Sequence, residues 1–300
     1  MSFLQRHHAL SRRWALSLLV ALSPLCMQTA AAAADTNQVD PYDAWWTGSL
    51  LSAYGRTLRP GHVVVEPYLI YSAPLKENPT HTLVPLIAAG AGITDAFDIQ
   101  FILQGVFQAQ GGASSTQIGD TSVRLGFQML EDRHDGSWFP DLMFTVRETI
   151  PTGRYDQLDP NLRGTDASGS GAFTTSFGAN VQKIFLPSNL HPLRMRLNLL
   201  FQFPSRASLQ TGNVYPGKTV SALVSGEYHL TQQWVAALDL AYAHTTLAAA
   251  AAPDSDTAAT VEGSNRDRFT VAPAIEYNFT PQSASSGGSL SMWAGTSPRR

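Results

Sequence analysis

Apolar and polar side chains alternate with a period of two along most of this chain, and no segment sustains the three-to-four spacing of a helix over several turns. The clearest run is 97–110, where Phe97, Ile99, Phe101, Leu103 and Phe107 alternate with Asp98, Gln100, Gln104 and Gln108. Successive side chains of a strand point to opposite faces, so one face of this strand is oily and the other wet. The pattern returns at 121–130, at 193–203, around Trp234, Leu238, Leu240 and Tyr242, and at 268–279. Weaker strands are expected at 63–72, 83–94, 142–150, 173–185 and 220–230. Together these are about ten strands, each near the roughly 9 to 11 residues that cross a bilayer at a tilt.

Alternation alone also suits a soluble sandwich, whose sheets pack one face on a core. The connections discriminate better. Tight links at 94–96, 131–137, 187–191 and 231–233 interleave with longer ones at 73–81, 111–119, 152–169, 204–216 and 247–267. Short turns on one side and long loops on the other are the habit of outer-membrane barrels. The pattern therefore predicts an all-β, antiparallel, up-and-down transmembrane β-barrel over 61–280, preceded by a lead-in at 35–60 with little periodicity. Pro67, Pro85 and Pro273 fall inside expected strands, where a missing N–H interrupts the ladder. Trp138 and Trp234 are expected at one rim, and Tyr71 and Tyr242 at the other, as aromatic girdles; Trp45 and Trp46 also fall near strand ends.

Composition sharpens the picture. Charged residues are 14% of the 300, against about 25% in ordinary soluble proteins, while the mean hydropathy is only -0.08. Few charges without high hydropathy exclude a bundle of membrane helices. A net charge of -3 offers no field for nucleic acid. At the start, Arg6, Arg12 and Arg13 precede an apolar run at 14–27 and a small-residue tract at 29–34. This reads as a signal peptide, 1–34, cleaved after Ala34, with export to the bacterial outer membrane. The one cysteine, Cys26, lies inside it, so the mature wall is expected to be held by its hydrogen-bond ladder.

Arg124, Arg147, Arg194, Arg196 and Arg268 share the wet faces with Asp98, Asp120, Glu227, Asp239 and Glu276. Mixed signs without a nucleophile suit mutual neutralisation inside a narrow barrel better than catalysis. Gln100, Gln104, Gln108, Arg124, Arg194 and Arg196 are the candidate pore-lining positions. No catalytic, cofactor-binding or metal-binding residues are expected. His62, His81, His134, His191, His229 and His244 are scattered without zinc-site spacing, no G-x-S-x-G elbow occurs, and Gly90-Ala91-Gly92 lacks the third glycine of a nucleotide fingerprint.

The run Trp45-Trp46-Thr47-Gly48-Ser49-Leu50-Leu51, with Pro60-Gly61-His62 and Glu66-Pro67-Tyr68, resembles the start of the phenol-degradation (MetA-pathway) family of outer-membrane transporters. Gly92-Ile93-Thr94-Asp95, Gly119-Asp120-Thr121, Ile150-Pro151-Thr152-Gly153 and Ala272-Pro273-Ala274-Ile275-Glu276-Tyr277-Asn278-Phe279 follow in order. The resemblance implies about twelve strands and a passive channel for small apolar or aromatic molecules, with outer-membrane lipid as the other partner. Here ten strands are clear and the last ones doubtful, because 281–300 is Ser/Gly-rich and ends Ser297-Pro298-Arg299-Arg300. Either a frameshift or truncation has replaced the final strands, or a ten-stranded barrel carries a loose tail. A barrel lipid hydrolase, a structural or adhesive barrel, and a soluble periplasmic β-sandwich are the alternatives in function.

Overall fold

The computed structural model describes the backbone at 13–22, 46, 48–74, 77–133, 136–187, 191–252, 257–280 and 283–295. The expected cleavage point after Ala34, Cys26, Trp45, His134 and the last five residues lie outside these. Among the described residues, twelve strands form the wall. They are β1 (Arg13–Leu22), β2 (Val63–Pro74), β3 (His81–Gly92), β4 (Phe97–Gln110), β5 (Thr121–Leu130) and β6 (Asp141–Ile150). The rest are β7 (Thr174–Phe185), β8 (Leu193–Pro204), β9 (Thr219–His229), β10 (Trp234–Thr245), β11 (Arg266–Thr280) and β12 (Ser283–Gly295).

Every one of them pairs antiparallel with two neighbours. The chain of pairings runs in sequence order from β2 to β12 and returns to β2 through β1. The sheet is a closed ring. A further strand, Ala113–Ile118, folds back on the end of β4, and four short strands pair within the loops 205–218 and 246–265.

All ten strands expected from the alternation are present. The soluble two-sheet sandwich is corrected by this ring, since its oily faces do not meet one another across a core. Phe97, Phe101, Leu103, Phe127, Phe177, Leu199, Leu240 and Val271 are exposed on the outside, Leu103 to 57%. Asp98, Glu227, Asp239 and Glu276 on the opposite faces are 0–1% exposed. This inverts the arrangement of a soluble protein. The one apolar cluster of buried residues among those described is small, Leu50 on Ala272 with Leu51, Tyr68, Ile70 and Ala274 around them.

Local chemistry sets the turns. In Thr94-Asp95-Ala96-Phe97 the threonine hydroxyl accepts from the N–H groups of Ala96 (3.2 Å) and Phe97 (3.1 Å). Thr231 does the same for Gln233 (3.2 Å) and Trp234 (3.0 Å). A side-chain oxygen thereby takes donors left over where the chain reverses. The expected rim aromatics pair up, Trp138 on Phe185 and Trp234 on Tyr277 at the short-turn end, Tyr71 on His81 and Tyr242 on Phe269 at the long-loop end. The prolines interrupt the wall as expected. The β3–β4 register lacks pairs at Val84 and Pro85, the β11–β12 register at Ala272 and Pro273, and the β1–β2 register stops short of Pro67.

Two segments of the wall depart from the sequence reading. Residues 283–295, read as part of a loose tail, form β12 and hydrogen-bond to β11 and β1. Residues 13–22, inside the expected signal peptide, form β1 and close the ring between β12 and β2. Both β2 and β12 run from the short-turn end to the long-loop end, so without β1 they could meet only in parallel. An unpaired seam in lipid leaves N–H and C=O groups unsatisfied. Refolded 1–300 is therefore expected to keep its compact, heat-sensitive gel form to a higher temperature than refolded 35–300. Equal transition temperatures would deny β1 its place in the wall.

Candidate functional site

The inward faces meet a filled lumen. A barrel of about 8 strands can be packed by its own side chains, whereas one of about 16 leaves an aqueous channel. At twelve strands the filling is shared with the chain itself, because the lead-in folds back inside the ring. Leu51 N–H donates to Asp239 Oδ2 at 2.9 Å, Ala53 N–H to Asn198 Oδ1 at 3.0 Å, and Gly55 N–H to Gln182 Oε1 at 3.5 Å. Thr57 N–H donates to Gln128 Oε1 at 2.7 Å and Leu58 N–H to Asp98 Oδ2 at 3.3 Å.

The acceptors sit on β10, β8, β7, β5 and β4 in turn, so the segment winds around the inner wall, descending toward the short-turn rim where β2 begins. Backbone donors dehydrated in the lumen need partners, and the wall supplies a polar side chain at every second residue from Leu51 to Thr57 and again at Leu58. Two amides clamp the segment from both sides, since Asn198 Nδ2 donates to Ala53 O at 3.2 Å and Gln128 Nε2 to Gly55 O at 3.2 Å. Gly55 is required by this contact, because a Cβ there would lie 2.4 Å from Gln182 Cβ and 2.8 Å from its backbone nitrogen.

Charges lock the arrangement. Arg124 Nη2 lies 3.1 Å from each oxygen of Asp98. Gly126, across the wall from Asp98, makes room for this pair, since a Cβ would come within 2.2 Å of Asp98 Oδ1. Glu227, fully buried, takes Arg194 through Nη2 and Nε, and Arg196 Nη2 at 3.1 Å. Arg196 also donates through Nη1 to Ser52 O and Ser52 Oγ, both at 3.1 Å, and stacks over Tyr54 at 4.8 Å. Tyr54 OH donates to Glu66 Oε1 at 3.0 Å. Trp46 is no rim anchor. Its ring lies under the Arg194 guanidinium at 4.4 Å and edge-on to His229 at 4.3 Å.

The candidate lining residues therefore divide. Arg124, Arg194 and Arg196 face inward but are committed to carboxylates and to the lead-in. Gln100 stands in register with Gly90 and Arg124. Gln104 covers Gly119, and Gln108 Nε2 donates to Ala167 O at 2.9 Å. Gln108 thereby ties the wall to the loop 151–173, which Asp120 also holds by accepting from Gly153 N–H at 3.0 Å and Ser170 N–H at 2.8 Å. Among the described residues no three His, Cys, Asp or Glu side chains gather as a metal cluster. Sequence reasoning missed the inward-folded segment. Its weak signal was the small-residue character of Gly48-Ser49 and Ser52-Ala53 with Gly55.

No family model matches the chain, and no curated protein matches it. An outer membrane channel of known structure from Pseudomonas putida F1 superposes with a TM-score of 0.54, covering 97% of this chain and 97% of its own, at 10% sequence identity. This chain shares that channel's fold. At that identity the likeness is one of architecture.

Proposed function

We propose that the protein is a passive channel of the bacterial outer membrane for small apolar or aromatic molecules. The observation that carries this reading is the inverted barrel, oily outside and charged within, whose lumen is narrowed by a segment of the chain held through hydrogen bonds. Such bonds are each worth only about 0.5–1.5 kcal/mol net, so the segment can shift without unfolding the wall. Gln100, Gln104 and Gln108 would line the path along β4, and Arg124, Arg194 and Arg196 would line it once the lead-in moves. The resemblance to the phenol-degradation transporters supports the aromatic cargo.

Liposome swelling tests it. Arbutin, a phenol whose glucosyl group keeps it out of a bare bilayer, is expected to enter protein-containing vesicles faster than empty ones. Equal rates for empty vesicles, wild type and a variant with a displaced lead-in would contradict a channel.

A further inference from the structure

At the long-loop end, four residues along β8 and β10 beyond their contacts with the lead-in at Asn198 and Asp239, the inner wall opens into a cavity of about 210 Å³ lined by Gln202, Thr219, Ser221, Ala243, Thr245, Arg266 and Arg268. The registers arrange these side chains in two rows across four strands. Gln202, Thr219, Thr245 and Arg266 are successive partners in one, and Ser221, Ala243 and Arg268 in the next. Arg266 and Arg268 are two apart on β11, so both guanidiniums face the cavity. Ala243 and Ser221 are short and leave the space beside Arg268.

Unlike Arg124, Arg194 and Arg196, neither arginine has a carboxylate within ion-pair distance among the described residues. Their carboxylate neighbour in sequence, Asp267, points to the outer face, where Tyr242 OH donates to it at 2.7 Å and His244 Nδ1 lies 2.8 Å away. Hydroxyls complete the rim, with Thr219 Oγ1 and Thr245 Oγ1 2.9 Å apart. Deeper on the same inward faces come Leu200 in register with Ser221, then Leu223 with Ala241.

Two unneutralised forks over an apolar step match a molecule with an oxyanion head and an apolar body. We infer that this cavity is an entry site for small organic acids, binding the carboxylate between Arg266 and Arg268 with the Thr219 and Thr245 hydroxyls, and laying the apolar body toward Leu200 and Leu223. The cavity is too small for a drug-sized ligand and suits an acid of one ring. Its role as an entry site rests on the channel reading, whereas the binding itself does not.

The test is calorimetric titration of the folded, detergent-solubilised full chain with sodium benzoate, benzamide and sodium sulfate. Benzoate is expected to bind, benzamide at least about tenfold more weakly, since it lacks the charge that strengthens each hydrogen bond. The pair R266Q/R268Q is expected to weaken benzoate by at least about tenfold, with the heat-sensitive gel shift showing that it folds. Ala243→Leu, which fills the cavity from the opposite strand, is expected to remove binding without touching charge. Benzoate affinity unchanged in both variants, benzamide equal to benzoate, or sulfate displacing benzoate at equal concentration would each overturn the organic-acid site. Arbutin flux without benzoate binding overturns this site alone, and benzoate binding without arbutin flux overturns the channel alone.

Discussion

Replacing Glu227 with alanine is expected to destabilise the folded barrel by about 3–5 kcal/mol, the usual cost of removing one partner from a buried ion pair. Glu227 is fully buried and is the carboxylate that both Arg194 and Arg196 contact. Those arginines are 4% and 2% exposed, so the variant strands two guanidiniums that water cannot reach. Arg196 also holds Ser52 and stacks on Tyr54, and its loss of position should loosen the lead-in as well. Glu227→Gln keeps the shape and two polar atoms, and should lose less. The midpoint of unfolding in urea, followed by the compact gel form, checks both. A loss below about 1 kcal/mol for the alanine variant would place this triad among weak, solvated pairs.

Gly55→Phe should open the lumen. Its Cβ cannot be accommodated against the Gln182 backbone, so the segment must leave the wall over at least the Ala53 to Thr57 stretch. The donations to Asn198, Gln182 and Gln128 and the return bonds from Asn198 and Gln128 go with it. At about 0.5–1.5 kcal/mol each, five such bonds amount to roughly 2–7 kcal/mol. Moving a two-state equilibrium from about 1:99 to 99:1 takes about 5.5 kcal/mol, so the open population should rise on the order of a hundredfold. Planar-bilayer conductance is the readout, with wild type mostly closed and the variant mostly open. Indistinguishable traces would mean that the segment does not occlude the path.

The wall was legible because a barrel oily outside and wet within imposes a strict demand on every second residue. Phe97 through Phe107, or Leu193 through Phe201, could not alternate otherwise and still bury polar groups inside. The inward direction of Arg124, Arg194 and Arg196 followed from the same period. Their commitments did not, because Arg124 meets Asp98 from a neighbouring strand and Arg196 meets Ser52 from 144 residues away. The inward-folded segment was hidden for a related reason. It is bound mainly through its backbone N–H groups, which every residue but proline carries, so its side chains show no period. In β12 the composition misled. Ser283 to Gly295 pairs on both sides through its backbone, although its Ser/Gly-rich sequence scarcely alternates. The cavity at Arg266 and Arg268 was half visible, since Arg268 was marked as inward but its lack of a carboxylate partner required the fold.

A barrel of the proposed kind turns its oily faces to acyl chains, and lipid quenching reads that contact directly. Single bimane labels on cysteines placed at Leu103, Phe127, Leu199 or Leu240, in a background with Cys26 replaced, are to be compared with labels at their inward neighbours Gln104, Gln128, Asn198 and Asp239, in vesicles of brominated phospholipid. The first set should be quenched strongly by the brominated chains and ignored by aqueous iodide, while the second escapes the lipid quencher. Equal quenching of both sets, or iodide reaching the outer set freely, would contradict a barrel whose outside is solvated by lipid.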